Sequence, residues 1–561
     1  MAAALYIIYA AMGILGAQLV ASRLPDARER QLVLASAVMH VVFAALMVVV
    51  TDKLLGGGDM FWYHRAGNQL AELVRSDWGQ WGPEVWKLTW RQQATFPFWV
   101  HGAAGDSATG AMFGISTWVM LASAGSLYVG CLLVALAGFA GKLAMALALR
   151  SVLPEAARLP LLAALLLLPS TVFWTSGLLK EAVAVAGFGL VVAGSARAAR
   201  DGYVTPSSLA MIVLGALPAY LVKPYILFPF VGALAIWYVA ERLRRAGSSV
   251  AVLLSPTYLI VGGALAFFLL ALLSNLMPSY SLDSLGEELA QVQHAGTRVS
   301  GTSNYSIVDT TDAANRSLAG QLVYAPLGLL FALFRPFVFE VRNAQMLVNS
   351  LETTLLTVLL ALALRRHGLR ALVATVLRQP ALLAALAYTL AFGTFVGLAS
   401  TNMGTLSRYR IPMMPFYAMV VFVVPALTRA AGGSLATVTG GAVASVAARP
   451  LVPVRGVPRR VLLRTAGRGA PRADGAPTAP PAEVPGSSRR RPPAGGRGSR
   501  RARPGQGPSV AVPSRAQATA ATRRRSPATA GPPPSTVTST AAASAPAASV
   551  AAGRRAARRR R

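Results

Sequence analysis

The stretch LYIIYAAMGILGAQLVASRLPDARERQLVLASAVMHVVFAALMVVV (Leu5–Val50) decides the fold. Two apolar runs, near 3–22 and 32–51, flank a short connection that holds Arg23, Arg28 and Arg30. Each run is close to the roughly 20 residues an α-helix needs to cross a bilayer core. Inside lipid, a chain satisfies its own backbone polar groups only as a helix or a closed barrel. The pair therefore reads as two antiparallel spanning helices with their arginines at one interface. The first run lacks a basic leader and a small-residue cleavage site, so a retained span is expected rather than a signal peptide.

The pattern repeats along the chain. Further apolar segments lie near 125–148, 158–173, 181–196, 207–222, 225–241, 250–274, 345–364, 380–399 and 412–428, giving about 11 spans, of which 158–173 and 207–222 are short. Composition agrees: 54% of the 561 residues are hydrophobic and 13% charged, with a mean hydropathy of +0.51. These values lie outside the range of soluble domains. The net charge of +32 is concentrated at one end, because 25 arginines and only two acids, Asp474 and Glu483, follow residue 428. The first 428 residues carry a net of only +9.

The segment Arg429–Arg561 has no Phe, Trp or Tyr and cannot bury enough apolar surface to offset its conformational entropy. A disordered cytoplasmic tail is expected there. Its arginine clusters suit anionic lipid head groups, and no specific nucleic acid partner is expected. Cys131 is the single cysteine, which excludes an intramolecular disulfide. The expected fold is thus all-α: a polytopic integral membrane domain over 1–428, followed by the tail over 429–561.

Orientation follows from the arginines of short loops. Arg23, Arg28 and Arg30, then Arg150 and Arg158, then Arg197 and Arg200, then Arg242, Arg244 and Arg245, then Arg365, Arg366, Arg370 and Arg378, occupy alternate loops. All five sets are cytoplasmic if the N-terminus is outside and the C-terminus inside. The segment Tyr324–Asn343 is apolar, but a crossing there would put the last set outside. A re-entrant or interfacial segment is expected instead, broken at Pro326 and Pro336.

With this topology, outer loops near 52–110 and 278–320 share one face with Lys180, Lys223, Arg335, Arg408 and Arg410. Short loops on that face usually lack positive charge, and an anionic partner such as a lipid-linked phosphate or diphosphate accounts for these residues. Snorkelling to lipid phosphates is the plain alternative. Arg408 and Arg410 sit two apart in STNMGTLSRYRIPMMPF (Ser400–Phe416), so on an extended loop they would project to one side and grip one phosphate. Pro412 favours the extended form for Ile411.

The first large loop holds six of the nine tryptophans, among them Trp62, Trp78 and Trp81, whose rings suit stacking on sugars as well as an interfacial belt. Met60–Val74 reads as an amphipathic helix with Asp59 at its N-cap, or with Asp59 as a general base. Asp77, Glu84 and Asp106 are weaker carboxylates for that role. His64 reads as a hydrogen-bonding residue, since no second His or Cys stands at metal spacing.

GGDMFWYHRAG, LLPSTVFWTSGLLKEA, FRPFVFEVRN and NMGTLSRYRIPMMPF together resemble segments of bacterial multi-pass proteins of surface-glycan assembly. These are the polyprenyl-phosphate-sugar-dependent glycosyltransferases of the GT-C type and the related oligosaccharide-repeat polymerases. The resemblance covers roughly residues 1–428. It implies a bacterial cytoplasmic-membrane enzyme that takes a polyprenyl-linked sugar donor and a glycan or lipid acceptor, with Asp59 as the catalytic acid residue of the first outer loop. The chain departs from that pattern by placing two spans before the loop and by lacking an Asp-x-Asp or Glu-x-Asp pair. A divalent metal therefore has no ligand motif behind it, and no cofactor is assigned. The rival classes are a lipid-linked glycan flippase or transporter and a non-enzymatic envelope scaffold. A transporter needs polar residues along its spans, and Glu352 is the buried charge the spans offer.

Overall fold

The computed structural model describes residues 1–97, 107–249, 286–287, 289–294, 304–309 and 312–447, with the side chains of 313, 344–345 and 432–447 left aside. The regular structure of the described residues is all helical, with no strand and only an isolated antiparallel bridge between Asn304 and Asn402. The first eleven helices are α1 (Ala2–Ala21), α2 (Ala27–Lys53), α3 (Asp59–Ser76), α4 (Trp78–Thr89), α5 (Ala108–Ala122), α6 (Leu127–Arg150), α7 (Arg158–Leu166), α8 (Pro169–Trp174), α9 (Lys180–Asp201), α10 (Pro206–Val222) and α11 (Leu227–Arg245). After the gap come α12 (Leu318–Val323), α13 (Ala325–Phe334), α14 (Ala344–His367), α15 (Leu369–Arg378), α16 (Pro380–Ala399), α17 (Met403–Tyr409) and α18 (Met414–Ala447).

Among the described residues, eight helices are long and apolar enough to cross a membrane: α1, α2, α6, α9, the stretch Pro224–Arg245, the bulk of α14, α16 and the start of α18. Of the other expected spans, 250–274 lies outside the described residues and 207–222 forms the 17-residue α10. The segment 158–173 is not one helix. It stops at Leu166 and restarts at Pro169, which occupies the first turn of α8 where its missing N–H costs nothing. Both loose ends at this break are met from elsewhere in the fold. Ser36 Oγ of α2 donates to the Leu166 carbonyl at 2.8 Å, and the Glu352 carboxylate of α14 accepts from the Ser170 N–H at 2.7 Å and from its hydroxyl.

The expected re-entrant segment holds α13, ten residues with Pro326 in its first turn and its end just before Pro336. At 1.5 Å per residue it is about 15 Å long, half a hydrocarbon core. The apolar α5 has no counterpart in the sequence reading, which left its first residues in a loop. Helical backbone also continues to Ala447, past the expected boundary at 428. The remainder of the expected tail, and residues 278–285, 288, 295–303 and 310–311 of the loop 278–320, lie outside the described residues.

The centre of the bundle is α9, which packs against α6 and α10 through glycines. A Cβ on Gly189 would stand 2.1 Å from the Gly141 carbonyl oxygen of α6, and one on Gly187 would stand 2.2 Å from the Gly215 carbonyl oxygen of α10. Such small residues let backbones approach where lipid removes the hydrophobic incentive to pack. At one end of this core α3 lies with Met60, Tyr63, Ala66, Gly67, Leu70, Ala71 and Val74 buried, the i, i+3, i+4 stripe of an amphipathic helix.

Candidate functional site

Three glycines set the start of α3. Gly56, Gly57 and Gly58 all have positive φ, at 68°, 107° and 140°, a backbone that only glycine adopts freely. Gly58 is the N-cap and Asp59 is the first helical residue, so Asp59 does not cap the helix as expected. Its carboxylate instead accepts from Arg408 Nη1 at 2.7 Å, while the α3 dipole favours its charge.

Arg408 is held from a second side by Glu181 in the first turn of α9. Its Nε donates to Oε1 at 2.8 Å and its Nη2 to Oε2 at 3.1 Å, the forked geometry that arginine offers and lysine does not. Glu181 also receives Lys223, at the C-cap of α10, at 2.7 Å. The Lys223 ammonium sits 4.4 Å from the ring centroid of Tyr409. Burial opposes the charge on Arg408, yet Glu181 and Asp59 raise its pKa well above the ordinary value. The neighbouring Tyr63 phenol is likewise raised, by burial first and by Asp59 second.

Lys180, beside Glu181 in sequence, differs from its neighbours. Its Nζ donates to Thr109 Oγ1 at 2.8 Å and lies 5.9 Å from the Tyr63 ring, with no ion-pair partner among the described residues. Among the described residues Asp59 Oδ1 has no hydrogen-bond partner, and the Asp59 side chain is 31% exposed against 0% for Glu181. The cluster therefore contains an anchored part, Glu181 with Arg408 and Lys223, and an open edge formed by Asp59 and Lys180. Three cations face two carboxylates, a net of one positive charge.

Arg335 and Arg410 belong to a separate group. The expectation that Arg408 and Arg410 share one face of an extended loop is overturned, because Asn402 caps a helix there, its Oδ1 accepting from the Gly404 N–H at 2.7 Å. Residues two apart on a helix do not face each other. Arg408 is in the last turn of α17, whereas Arg410 lies just beyond it and enters a chain turn through Ile411–Met413 rather than an extended run. Arg410 is fully buried and donates to the carbonyls of Arg335 at 2.7 Å and Ala332 at 3.3 Å, and to Thr353 Oγ1 at 2.9 Å. It thereby closes the C-terminal end of α13, and burial lowers its pKa. The Arg335 guanidinium pairs with Glu340 and lies 4.1 Å from the Phe331 ring.

The tryptophans also divide. Trp62 packs beside the cluster, stacked on Tyr63 and edge-on to Phe113 at 4.9 Å. Trp78 and Trp81 are on α4, against Trp118 and Phe96 respectively. Asp77 caps α4 and Glu84 pairs with Lys87, while Asp106 lies outside the described residues. His64 bonds to the Gly125 carbonyl and to Asn68. No group of three metal-ligating side chains occurs among the described residues.

Among the buried charges that sequence reasoning missed, two lie on the central helices α9 and α6. Glu181 was passed over beside Lys180, although an acidic residue at the start of an apolar run is itself a signal. Lys142 lies within α6, fully buried, with Nζ donating to Thr175 Oγ1 at 3.1 Å and no carboxylate in ion-pair range among the described residues. Compared with known proteins, the chain matches no family model, no curated protein and no solved structure.

Proposed function

We propose that the chain is a membrane glycosyltransferase that moves a sugar or glycan from a polyprenyl-phosphate or diphosphate carrier to a glycan or lipid acceptor. The observation that carries this reading is the open edge of the charge cluster: a partly exposed carboxylate, Asp59, beside the ammonium of Lys180, which has no ion-pair partner among the described residues. A base within hydrogen-bond reach of an acceptor hydroxyl and fixed positive charge for a departing phosphate are the two groups such a transfer needs. In this mechanism Asp59 Oδ1 takes the acceptor proton as the hydroxyl oxygen bonds to the sugar carbon. The bond to the carrier phosphate breaks, and the phosphate leaves with its charge met by Lys180. Arg408 positions Asp59, and Trp62 borders the sugar. Arg410 ties the end of α13 to α14 through the Arg335 carbonyl and Thr353, and the Arg335 guanidinium pairs with Glu340 in the connection.

In this proposal the cluster faces outward from a bacterial cytoplasmic membrane, with the N-terminus outside and the tail inside. Purified protein in liposomes with a polyprenyl-phosphate sugar donor and a glycan acceptor tests it. Product that disappears in Asp59→Asn supports the reading, and no product from wild-type protein across donors argues against it. A transporter is the second reading, favoured by buried Lys142 and by buried His40 of α2, whose Nε2 has no hydrogen-bond partner among the described residues. It requires transbilayer movement of a lipid-linked glycan with no new glycosidic bond.

A further inference from the structure

Helix α9 runs from Glu181 at the charge cluster to Asp201, and at 1.5 Å per residue these lie about 30 Å apart. That distance matches a hydrocarbon core. At the far end, a cavity of about 470 Å³ opens between the ends of α6, α9, α11 and α15 and the start of α16. Arg200, Arg244, Arg245 and Arg378 line it against a single lining carboxylate, Glu241, and Leu153, Trp237 and Pro380 form apolar wall. The volume is within the usual range of ligand sites.

The arginines are unequally committed. Arg245 pairs with Glu241 at 3.1 Å and donates to the carbonyls of Ala199 and Arg200, where it closes α9. Arg244 is bound to the same Glu241, and Arg200 approaches Asp201 only to 3.7 Å. Arg378 is exposed and has no partner among the described residues. Glu241 in the lining and Asp201 beside Arg200 cannot neutralise four guanidinium groups, and all four arginines line one concave site. Guanidinium forks match phosphate oxygens, and basic pockets between spanning helices suit phosphorylated lipid head groups.

We propose that this cavity binds a phosphate group, with an anionic membrane lipid the source that its depth favours. The test uses full-length protein in nanodiscs of phosphatidylcholine with increasing phosphatidylglycerol, with retained lipid counted by native mass spectrometry. Arg244→Gln with Arg378→Gln is expected to weaken phosphatidylglycerol retention roughly 10- to 30-fold. Arg378→Gln alone, which disturbs no intramolecular contact, is expected to account for part of that loss. The exposed pair Arg23→Gln with Arg365→Gln is expected to leave it unchanged. In a second arm, inorganic phosphate is added to detergent-solubilised protein and heat unfolding is followed. Stabilisation of wild type but not of the double variant, without lipid selectivity, assigns the same site to soluble phosphate. Equal behaviour of wild type and double variant in both arms overturns the proposal, as does equal weakening by the control pair.

Discussion

Arg408 and Glu181, 227 positions apart, meet through two hydrogen bonds of 2.8 and 3.1 Å, with the Glu181 side chain wholly excluded from solvent. This pair ties the short helix α17 to the central helix α9. Removing one member takes away one of two partners, since Glu181 keeps Lys223 and Arg408 keeps Asp59, so a loss of about 2–3 kcal/mol is expected, below the roughly 3–5 kcal/mol of a fully unpaired buried charge. Arg408→Lys keeps the charge but loses the fork, so a smaller loss of about 1–2 kcal/mol is expected. Thermal unfolding in detergent of Arg408→Lys, Glu181→Gln and the double variant measures the coupling, and strict additivity would refute it.

Asp59→Asn separates chemistry from structure. The side chain is at the open edge, and asparagine retains an acceptor for Arg408. Unfolding temperature is expected to stay within a few degrees of wild type while transfer falls about 10²–10⁴-fold, the usual contribution of a general base. Transfer assays at matched protein level check this, and wild-type rates would remove Asp59 from the mechanism.

The break between α7 and α8 depends on Glu352. Glu352→Ala leaves the Ser170 N–H without its acceptor, a buried loss expected to cost about 1–3 kcal/mol. Ser170→Ala removes only the hydroxyl bond and should cost less. A ranking with Ser170→Ala as the worse variant, measured by heat unfolding, contradicts this account.

Gly187→Ala drives a methyl group against the Gly215 carbonyl, which belongs to backbone and cannot swing away. Overpacking of this kind costs about 1–3 kcal/mol. Gly16→Ala, with open space around its added Cβ, serves as the neutral control. Equal stability of the two variants shows that α9 and α10 do not pack this closely.

The orientation is tested by cysteine labelling. Leu369 is 67% exposed, and Cys131 is buried and replaceable by alanine. A Leu369→Cys variant is expected to react with an impermeant maleimide only after the membrane is opened. Reaction in intact cells reverses the proposed sidedness.

How much of this was legible in the sequence depended on the range of the forces involved. Apolar runs of about 20 residues announce themselves locally, and so do α1, α2, α6, α9 and α16. The stripe of α3 was readable from Met60 to Val74 for the same reason. The split at Pro169 was not, because it relies on Ser36 and Glu352 to satisfy a broken helix from 130 and 182 positions away. Lys180, Lys223 and Arg408 were singled out by positive charge on an unexpected face and Asp59 by its place at the start of an amphipathic helix, and the fold brings the four together. Arg410 was grouped with Arg408 because the local rule for an extended loop was applied where Asn402 starts a helix. The side-chain direction followed from that one difference.

Among the described residues, every hydrogen-bond acceptor of the Arg408 and Arg410 side chains lies nearer the N-terminus than the arginines themselves: Asp59 and Glu181 for one, Ala332, Arg335 and Thr353 for the other. During synthesis these cations emerge after their counterparts. A guanidinium released into lipid alone is expensive, but here it arrives at a half-assembled bundle whose acceptors have already been made. The order of translation thus spares the insertion machinery a charge with nowhere to go, and moving this segment toward the front of the gene would take that protection away.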